Sequence, residues 1–194
     1  MQMRWFEKWA VNSFSRFYLR WHLLPRLQTL IDGPLAGRGL VLGPGIGWET
    51  LALAEKFPEA TLIGVDYDID QVERARRNLK ARPSLVTRVA FEQGDATALS
   101  FSAGSFDFAY ELNVFHHIRD YPAAICEVHR VLKPGGRFFL QDLSRRFFLP
   151  GVRQLFPPES LFTRAELVRE LDATGLGVEA ATGRAIIFLR ARRR

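Results

Sequence analysis

A single cysteine, Cys126, occurs in the 194 residues. That excludes an internal disulfide and any metal centre built from several thiolates. An unpaired cysteine suits a reducing compartment, and Cys126, mid-helix with no partner cysteine or base nearby, reads as buried filler. No apolar run approaches the roughly 20 residues needed to cross a bilayer. The opening residues, MQMRWFEKWAVNSFSR, break each short apolar run with a polar or charged side chain, so no secretory leader is expected. A cytoplasmic location is the expectation, with attachment to the periphery of a membrane as its variant. Internal repeats and low-complexity tracts are also missing, which excludes a solenoid or a disordered linker protein. No metal site is expected.

The apolar fraction is 47%, ordinary for a globular chain, and the length fits one domain with a small appendage. The division is residues 1–34, an N-terminal helical lid or appendage, and residues 35–194, the main domain. The formal charge is +6. Part of the excess gathers at Arg190, Arg192, Arg193 and Arg194. Another part is Arg4, Lys8, Arg16, Arg20 and Arg26, which meet only Glu7. Such charge attracts anionic lipid, nucleic acid or a negatively charged substrate, or else forms a solvated surface.

From Leu40 onward short apolar runs alternate with helical patterns, the signature of stacked βα units and a mostly parallel sheet. Strands are expected at 39–42, 61–66, 86–93, 106–111, 136–142, 177–182 and 184–190, and helices near 48–57, 70–81, 121–131 and 164–173. Asp120 and Thr163 read as N-caps, the latter with Glu166 as a capping box. Lys133-Pro134-Gly135-Gly136 reads as a turn. Only Gly183 separates the last two strands, so they are expected to pair antiparallel. The fold class is therefore α/β, with a seven-stranded, mostly parallel sheet that has one antiparallel strand near the C-terminus. Before Leu40 the chain carries Trp5, Phe6, Trp9, Phe14, Phe17, Tyr18 and Trp21 at helical spacings, with arginines interleaved.

The sharpest local feature is Gly43-Pro44-Gly45-Ile46-Gly47, where a buried strand runs through a glycine-rich turn into a helix. Glycines at every second position let backbone approach a ligand where a Cβ would collide, and the helix beyond offers free amide donors. The spacing is not the G-x-G-x-x-G of a dinucleotide pyrophosphate site. Asp66 ends the second strand about 20 residues later, placed to accept from both hydroxyls of a ribose. Asp95 follows the third strand; its carboxylate can accept from an adenine amino group while the Ala96 amide donates to a ring nitrogen. A merely tight turn and two loop-capping aspartates are the bland alternative, but three such features at successive strand ends favour a nucleoside.

With these residues in place the chain resembles the class I S-adenosylmethionine-dependent methyltransferases, over roughly residues 35–190. Gly43-Pro44-Gly45-Ile46-Gly47 is similar to that family's glycine motif, Asp66 to its ribose acid, and Gly94-Asp95-Ala96 to its adenine step. Ser105-Phe106-Asp107-Phe108 through Val114-Phe115-His116-His117-Ile118 is similar to its fourth strand and following loop. Glu127-Val128-His129-Arg130-Val131-Leu132-Lys133-Pro134-Gly135-Gly136 is similar to its helix, turn and fifth strand. The resemblance implies a Rossmann-like fold and S-adenosyl-L-methionine as cofactor, with S-adenosyl-L-homocysteine as product. It places Gly43, Pro44, Gly45, Gly47, Asp66, Tyr67, Asp95, Ala96 and Glu111 around the cofactor. The chain departs from the family at Val41, where an acidic residue usually precedes the first glycine by two places; Glu111 or backbone carbonyls are then expected to hold the cofactor's ammonium group.

Methyl transfer from a sulfonium needs alignment, exclusion of water and removal of a proton where the acceptor carries one. His116 and His117 are the candidate general bases, because imidazole titrates near pH 6.5; a capping or packing role is the alternative for either. Tyr110 and Asn113 are weaker candidates. Asp107 is expected to be structural. The acceptor pocket is expected from the aromatic N-terminal region and from the connection 144–158, both of which interleave large apolar groups with arginines. The same composition suits a peripheral membrane contact through the N-terminal segment. The Val114–Ile118 run resembles small-molecule members, including quinone and lipid methyltransferases, so a small, hydrophobic acceptor is the leading expectation. A nucleic-acid methyltransferase is the alternative suggested by charge, though the segment Tyr110-Glu111-Leu112-Asn113 lacks the Asn/Asp-Pro-Pro-aromatic run of base amino-group methylases, and nucleic acid is not the expected partner. A degenerate, non-catalytic binding protein is the alternative suggested by Val41, and a nicotinamide oxidoreductase is disfavoured by the glycine spacing.

Overall fold

Apolar side chains at nearly every position of Leu40-Val41-Leu42 and of Phe138-Phe139-Leu140 require strands covered on both faces. The computed structural model, which describes residues 30–31 and 33–194, has that architecture. Its strands are β1 (Gly37–Leu42), β2 (Ala60–Asp66), β3 (Val89–Gln93), β4 (Phe106–Leu112), β5 (Leu132–Leu143), β6 (Leu176–Thr182) and β7 (Ile186–Arg193). The helices are α1 (Trp48–Lys56), α2 (Ile69–Lys80), α3 (Tyr121–Val131) and α4 (Arg164–Thr174), with one further helical turn at Pro150–Arg153. The aromatic run from Trp5 to Trp21, with the expected lid, lies outside the described residues.

The seven strands are ordered β3-β2-β1-β4-β5-β7-β6. β7 runs antiparallel to both its neighbours and the other pairings are parallel. The expected fold class is the observed one. Alternation along each strand divides the core in two. Leu40 and Leu42 face α3 and α4, whereas Val41 faces α1 and α2 together with Tyr110, Phe139, Leu30 and Leu35. Leu30 and Leu35 thus enter one core from either side of the expected boundary at 34.

Local chemistry sets the element ends. The Asp120 carboxylate caps α3 by accepting from the Ala123 amide at 3.1 Å. Thr163 and Glu166 form the capping box on α4, and Gly175, at φ 96°, ends it in a left-handed cap.

Four expectations change. β3 begins at Val89, because Pro83 sets a 3₁₀ turn at Pro83–Leu85 and residues 86–88 continue in turns. Lys133-Pro134-Gly135-Gly136 is not a free turn but a bulge inside β5: Leu132 pairs with Phe106, and pairing resumes at Arg137 with Phe108. The connection between β6 and β7 is residues 183–185, so β7 starts two residues later than expected and extends to Arg193. Cys126 is exposed, not buried, since Ala124, Ile125 and Val128 take the inward face of α3. The C-terminal arginines are engaged: Arg192 and Arg190 bind Glu179 at 2.7 and 2.9 Å, Arg194 binds Asp172 at 3.3 Å, and Arg193 donates to the Leu132 carbonyl.

Candidate active site

β1 and β4 are adjacent in the sheet, and the chain order reverses between them; ligands of open α/β sheets bind outside the carboxyl ends of strands at such a point. The glycine turn follows β1 and the histidine pair follows β4, so both expected groups flank this crevice. They touch where the Val114 side chain packs on the Gly43 backbone, in space that a Cβ would fill.

The three nucleoside features converge through direct hydrogen bonds. The Gly45 amide donates to Asp66 Oδ2 at 2.9 Å, the Gly43 amide to the Val65 carbonyl at 2.9 Å, and the Gly94 amide to the Asp66 carbonyl at 3.0 Å. Asp66 Oδ1 also accepts from the Asp68 amide at 2.9 Å, and Asp68 in turn caps α2. Gly43, Gly45 and Gly47 have φ of 58°, 54° and 84°, all in the left-handed region that favours glycine. Their surroundings differ. Gly47 lies against Phe91 and Ala75, while a Cβ on Gly45 would meet nothing within 4 Å, so open space above the turn lies at Gly45. Gly47 caps α1 in the left-handed conformation without a side-chain bond. Pro44 is buried and packs over Gly64.

Asp95 and Ala96 follow β3 at the same edge. Asp95 Oδ1 accepts from the Thr97 amide at 2.8 Å and hydroxyl at 2.7 Å. Tyr67 is exposed beside Asp66, and its carbonyl accepts from Gln93 Nε2 at 3.2 Å. Open space at Gly45, the N-terminus of α1 beyond it and acids at successive strand ends suit a nucleoside, so the residues present fit the implied cofactor.

Glu111 is fully buried at the end of β4. Its Oε1 accepts from the amides of Val114 and Phe115. Burial first, and the Asp142 carboxylate second, push its carboxyl well above the ordinary range, against the pull of those two amides. The neutral acid is thereby favoured. Another carboxylate stands nearer the turn. Glu49 lies in the first turn of α1, and burial raises its pKa. Tyr110 pairs in register with Val41; its phenol is pushed up by burial first, then by Glu49, then by Glu111. Glu49 is thus within electrostatic reach of the Tyr110 phenol, on the face of the sheet that carries Val41.

His116 is 2% exposed. Its Nδ1 meets Asp142 Oδ1, and its amide donates to Asp142 Oδ2 at 3.2 Å. Facing a carboxylate, Nδ1 holds the ring proton, which leaves Nε2 with the lone pair. The Leu143 amide fixes Asp142 Oδ1 at 2.6 Å. The chain reaches this arrangement because Asn113, at φ 56°, turns sharply off β4, held by Gln141 Nε2 at 2.9 Å. Asn is among the few residues that accept this conformation readily.

His117 stacks on His116 with ring centroids 4.1 Å apart. Burial first, and the neighbouring His116 ring second, lower its pKa to about 2, so it is neutral at ordinary pH. Phe156 covers both rings, at 5.5 and 5.3 Å, and Phe148 lies 5.6 Å from His116. The Ser160 hydroxyl donates to the His116 carbonyl at 2.6 Å. The connection 144–158 therefore supplies aromatic walls to the histidine pair. Asp107 lies apart from all this, at the start of β4: burial alone would raise its pKa, but Lys133, 2.7 Å away, and the Arg38 amide lower it on balance.

Asp142 escaped the sequence reading. The available signal was an acid ending an apolar strand, the same logic that selected Asp66.

A family model described as a methyltransferase domain matches residues 40–140, which span the glycine turn, Asp66, Asp95 and the histidine pair. The chain belongs to this methyltransferase-domain family. Among its relatives, the demethylmenaquinone methyltransferase of Thermus thermophilus is 39% identical over 105 residues, 54% of this chain and 46% of that protein. The fatty-acid O-methyltransferase of Mycolicibacterium smegmatis is 30% identical over 179 residues, 89% of this chain and 62% of that protein. The chain thus spans about half of the first relative's length and less than two thirds of the second's. A SAM-dependent methyltransferase from Aquifex aeolicus superposes with a TM-score of 0.80 at 17% identity, covering 100% of both chains, which shows the shared fold.

Proposed function

We propose that this chain transfers the methyl group of S-adenosylmethionine to a small apolar acceptor, quinone- or lipid-like, with His116 as general base. The observation that carries the reading is the imidazole backed by the Asp142 carboxylate at the β4 edge of the crevice, walled by Phe148 and Phe156. Bound in the crevice, S-adenosylmethionine supplies an activated methyl on a sulfonium. The chain does the rest. Asp66 holds the ribose hydroxyls and Asp95 with Ala96 the adenine edge; Tyr67 lies alongside. Glu49 supplies the carboxylate for the ammonium end that Val41 does not, while Glu111 fixes the turn at Val114 and Phe115. Asp142 keeps the proton on His116 Nδ1 and steadies the imidazolium that forms when Nε2 accepts a proton from the acceptor. Aromatic walls exclude water and suit an apolar acceptor. The names of the two relatives above, which refer to demethylmenaquinone and to fatty acid, support that acceptor class. In this reading residues 1–34 serve as lid or peripheral membrane contact.

The test is labelled methyl transfer into a cell extract separated into lipid, small-molecule, RNA and protein fractions. Label in the lipid or small-molecule fraction is expected, and lost in Asp66→Ala. Label in RNA would make the chain a nucleic-acid methyltransferase instead. No label, with no S-adenosylmethionine binding by calorimetry at millimolar concentration, would make it a non-catalytic member.

A further inference from the structure

Of the seven exposed large apolar side chains in the described residues, four fall within nine positions: Phe147 at 49%, Leu149 at 73%, Val152 at 40% and Leu155 at 48% exposure. Their backbone explains the grouping. The Val152 amide donates to the Leu149 carbonyl at 2.9 Å and the Leu155 amide to the Val152 carbonyl at 3.1 Å. Successive i to i+3 bonds align side chains three apart, so Leu149, Val152 and Leu155 form one outward ridge. The same segment turns Phe148 and Phe156 inward onto the histidine pair. Residues 144–158 contain three arginines and no acidic residue. Arg146 is exposed beside Phe147, and Arg153 is anchored through Nε to the Phe148 carbonyl at 3.0 Å, which keeps its guanidinium beside the ridge.

An apolar ridge bordered by Arg146 and Arg153, with Arg145 turned to Glu166 at 3.4 Å and Glu159 facing Arg119 at 3.9 Å, is not matched to plain water, nor to a neutral apolar partner. It is matched to the boundary of an anionic bilayer, where acyl chains take the apolar groups and phosphates take the arginines. We propose that the segment 147–155 is a docking surface for anionic lipid bilayers, independent of residues 1–29. This goes beyond the proposed methyl transfer and does not depend on it, because vesicle binding is read without turnover.

The test is co-sedimentation of the full chain with phosphatidylglycerol or phosphatidylcholine vesicles. Binding to phosphatidylglycerol alone is expected, weakening steeply as salt rises. Replacing Leu149, Val152 and Leu155 together by Gln should reduce partitioning more than tenfold, and Arg146→Gln about fivefold, with thermal melts unchanged. A polarity-sensitive dye on Leu149→Cys, the most exposed position, in a chain whose exposed Cys126 is replaced by Ser, should shift to the blue with phosphatidylglycerol vesicles, a readout that survives if the triple variant folds poorly. The proposal falls if neither vesicle binds, if the triple variant partitions like the parent, if the dye does not shift, or if the ridge proves to mediate self-association in solution.

Discussion

Replacing Asp142 by Asn probes the proposed base with almost no change of volume. Beside the Glu111 carboxyl, Asp142 accepts from three N–H donors: Oδ1 takes His116 Nδ1 and the Leu143 amide, and Oδ2 takes the His116 amide. An amide has one oxygen, so one of these positions must become an NH₂. Placed at Oδ2 it confronts a single N–H; placed at Oδ1 it confronts two. The first orientation wins, and stability should fall by about 1–3 kcal/mol for a buried donor left without an acceptor. The catalytic loss is larger, since a neutral amide cannot steady the imidazolium: kcat should drop about 10²–10⁴-fold, the range general-base catalysis supplies. The Kd for S-adenosylmethionine should hold, because Asp142 touches neither the glycine turn nor Asp66. The assay pairs methyl-transfer rates into the labelled fraction with nitrogen NMR of the imidazole, which reports the Nδ1–H tautomer without needing acceptor. A folded Asn variant turning over at the parental rate would refute the assignment of His116 as base.

Gly45→Ala should cost only about 1–2 kcal/mol of stability from its positive φ, as its Cβ meets nothing, yet it should weaken S-adenosylmethionine binding strongly; calorimetry beside a thermal melt separates the two. Glu49→Gln should weaken S-adenosylmethionine but leave 5′-methylthioadenosine, which lacks the amino-acid end, unaffected; and because burial raises the Glu49 pKa, parental affinity should decline at acid pH while the variant's stays flat. His117 has a folded pKa of about 2 against an ordinary 6.5, so only the unfolded chain gains the proton between those values, and its stabilising contribution is complete above pH 6.5 and lost as pH falls below it. Urea unfolding at pH 5 and 7 should show His117→Gln flattening that acid limb by up to about 1.4 kcal/mol per pH unit.

What the sequence disclosed was local. The turn at Gly43 to Gly47 announces itself within five residues, and β1, β2 and β4 follow from short apolar-rich runs. Val86-Thr87-Arg88-Val89 misled because β-branched residues run without a break signal into the strand that follows, while Pro83 had already committed the backbone to a turn. Lys133 to Gly136 has turn composition, and only pairing with β4, a long-range fact, converts it to a bulge. The same limit hid Asp142: its meeting with His116 spans 26 positions and needs β5 beside β4, which no periodicity reports. Choosing between His116 and His117 likewise required knowing which ring faces a carboxylate.

β7 fills the slot between β5 and β6, although it follows both in the chain. During synthesis, β5 and β6 therefore emerge on either side of an open slot, each holding an unpaired row of amides and carbonyls, until residues 186–193 arrive to fill it. Bare strand edges are templates for intermolecular pairing, so ribosome-bound chains halted near Thr182 should be a vulnerable species that recruits chaperones, whereas those released past Arg193 should not.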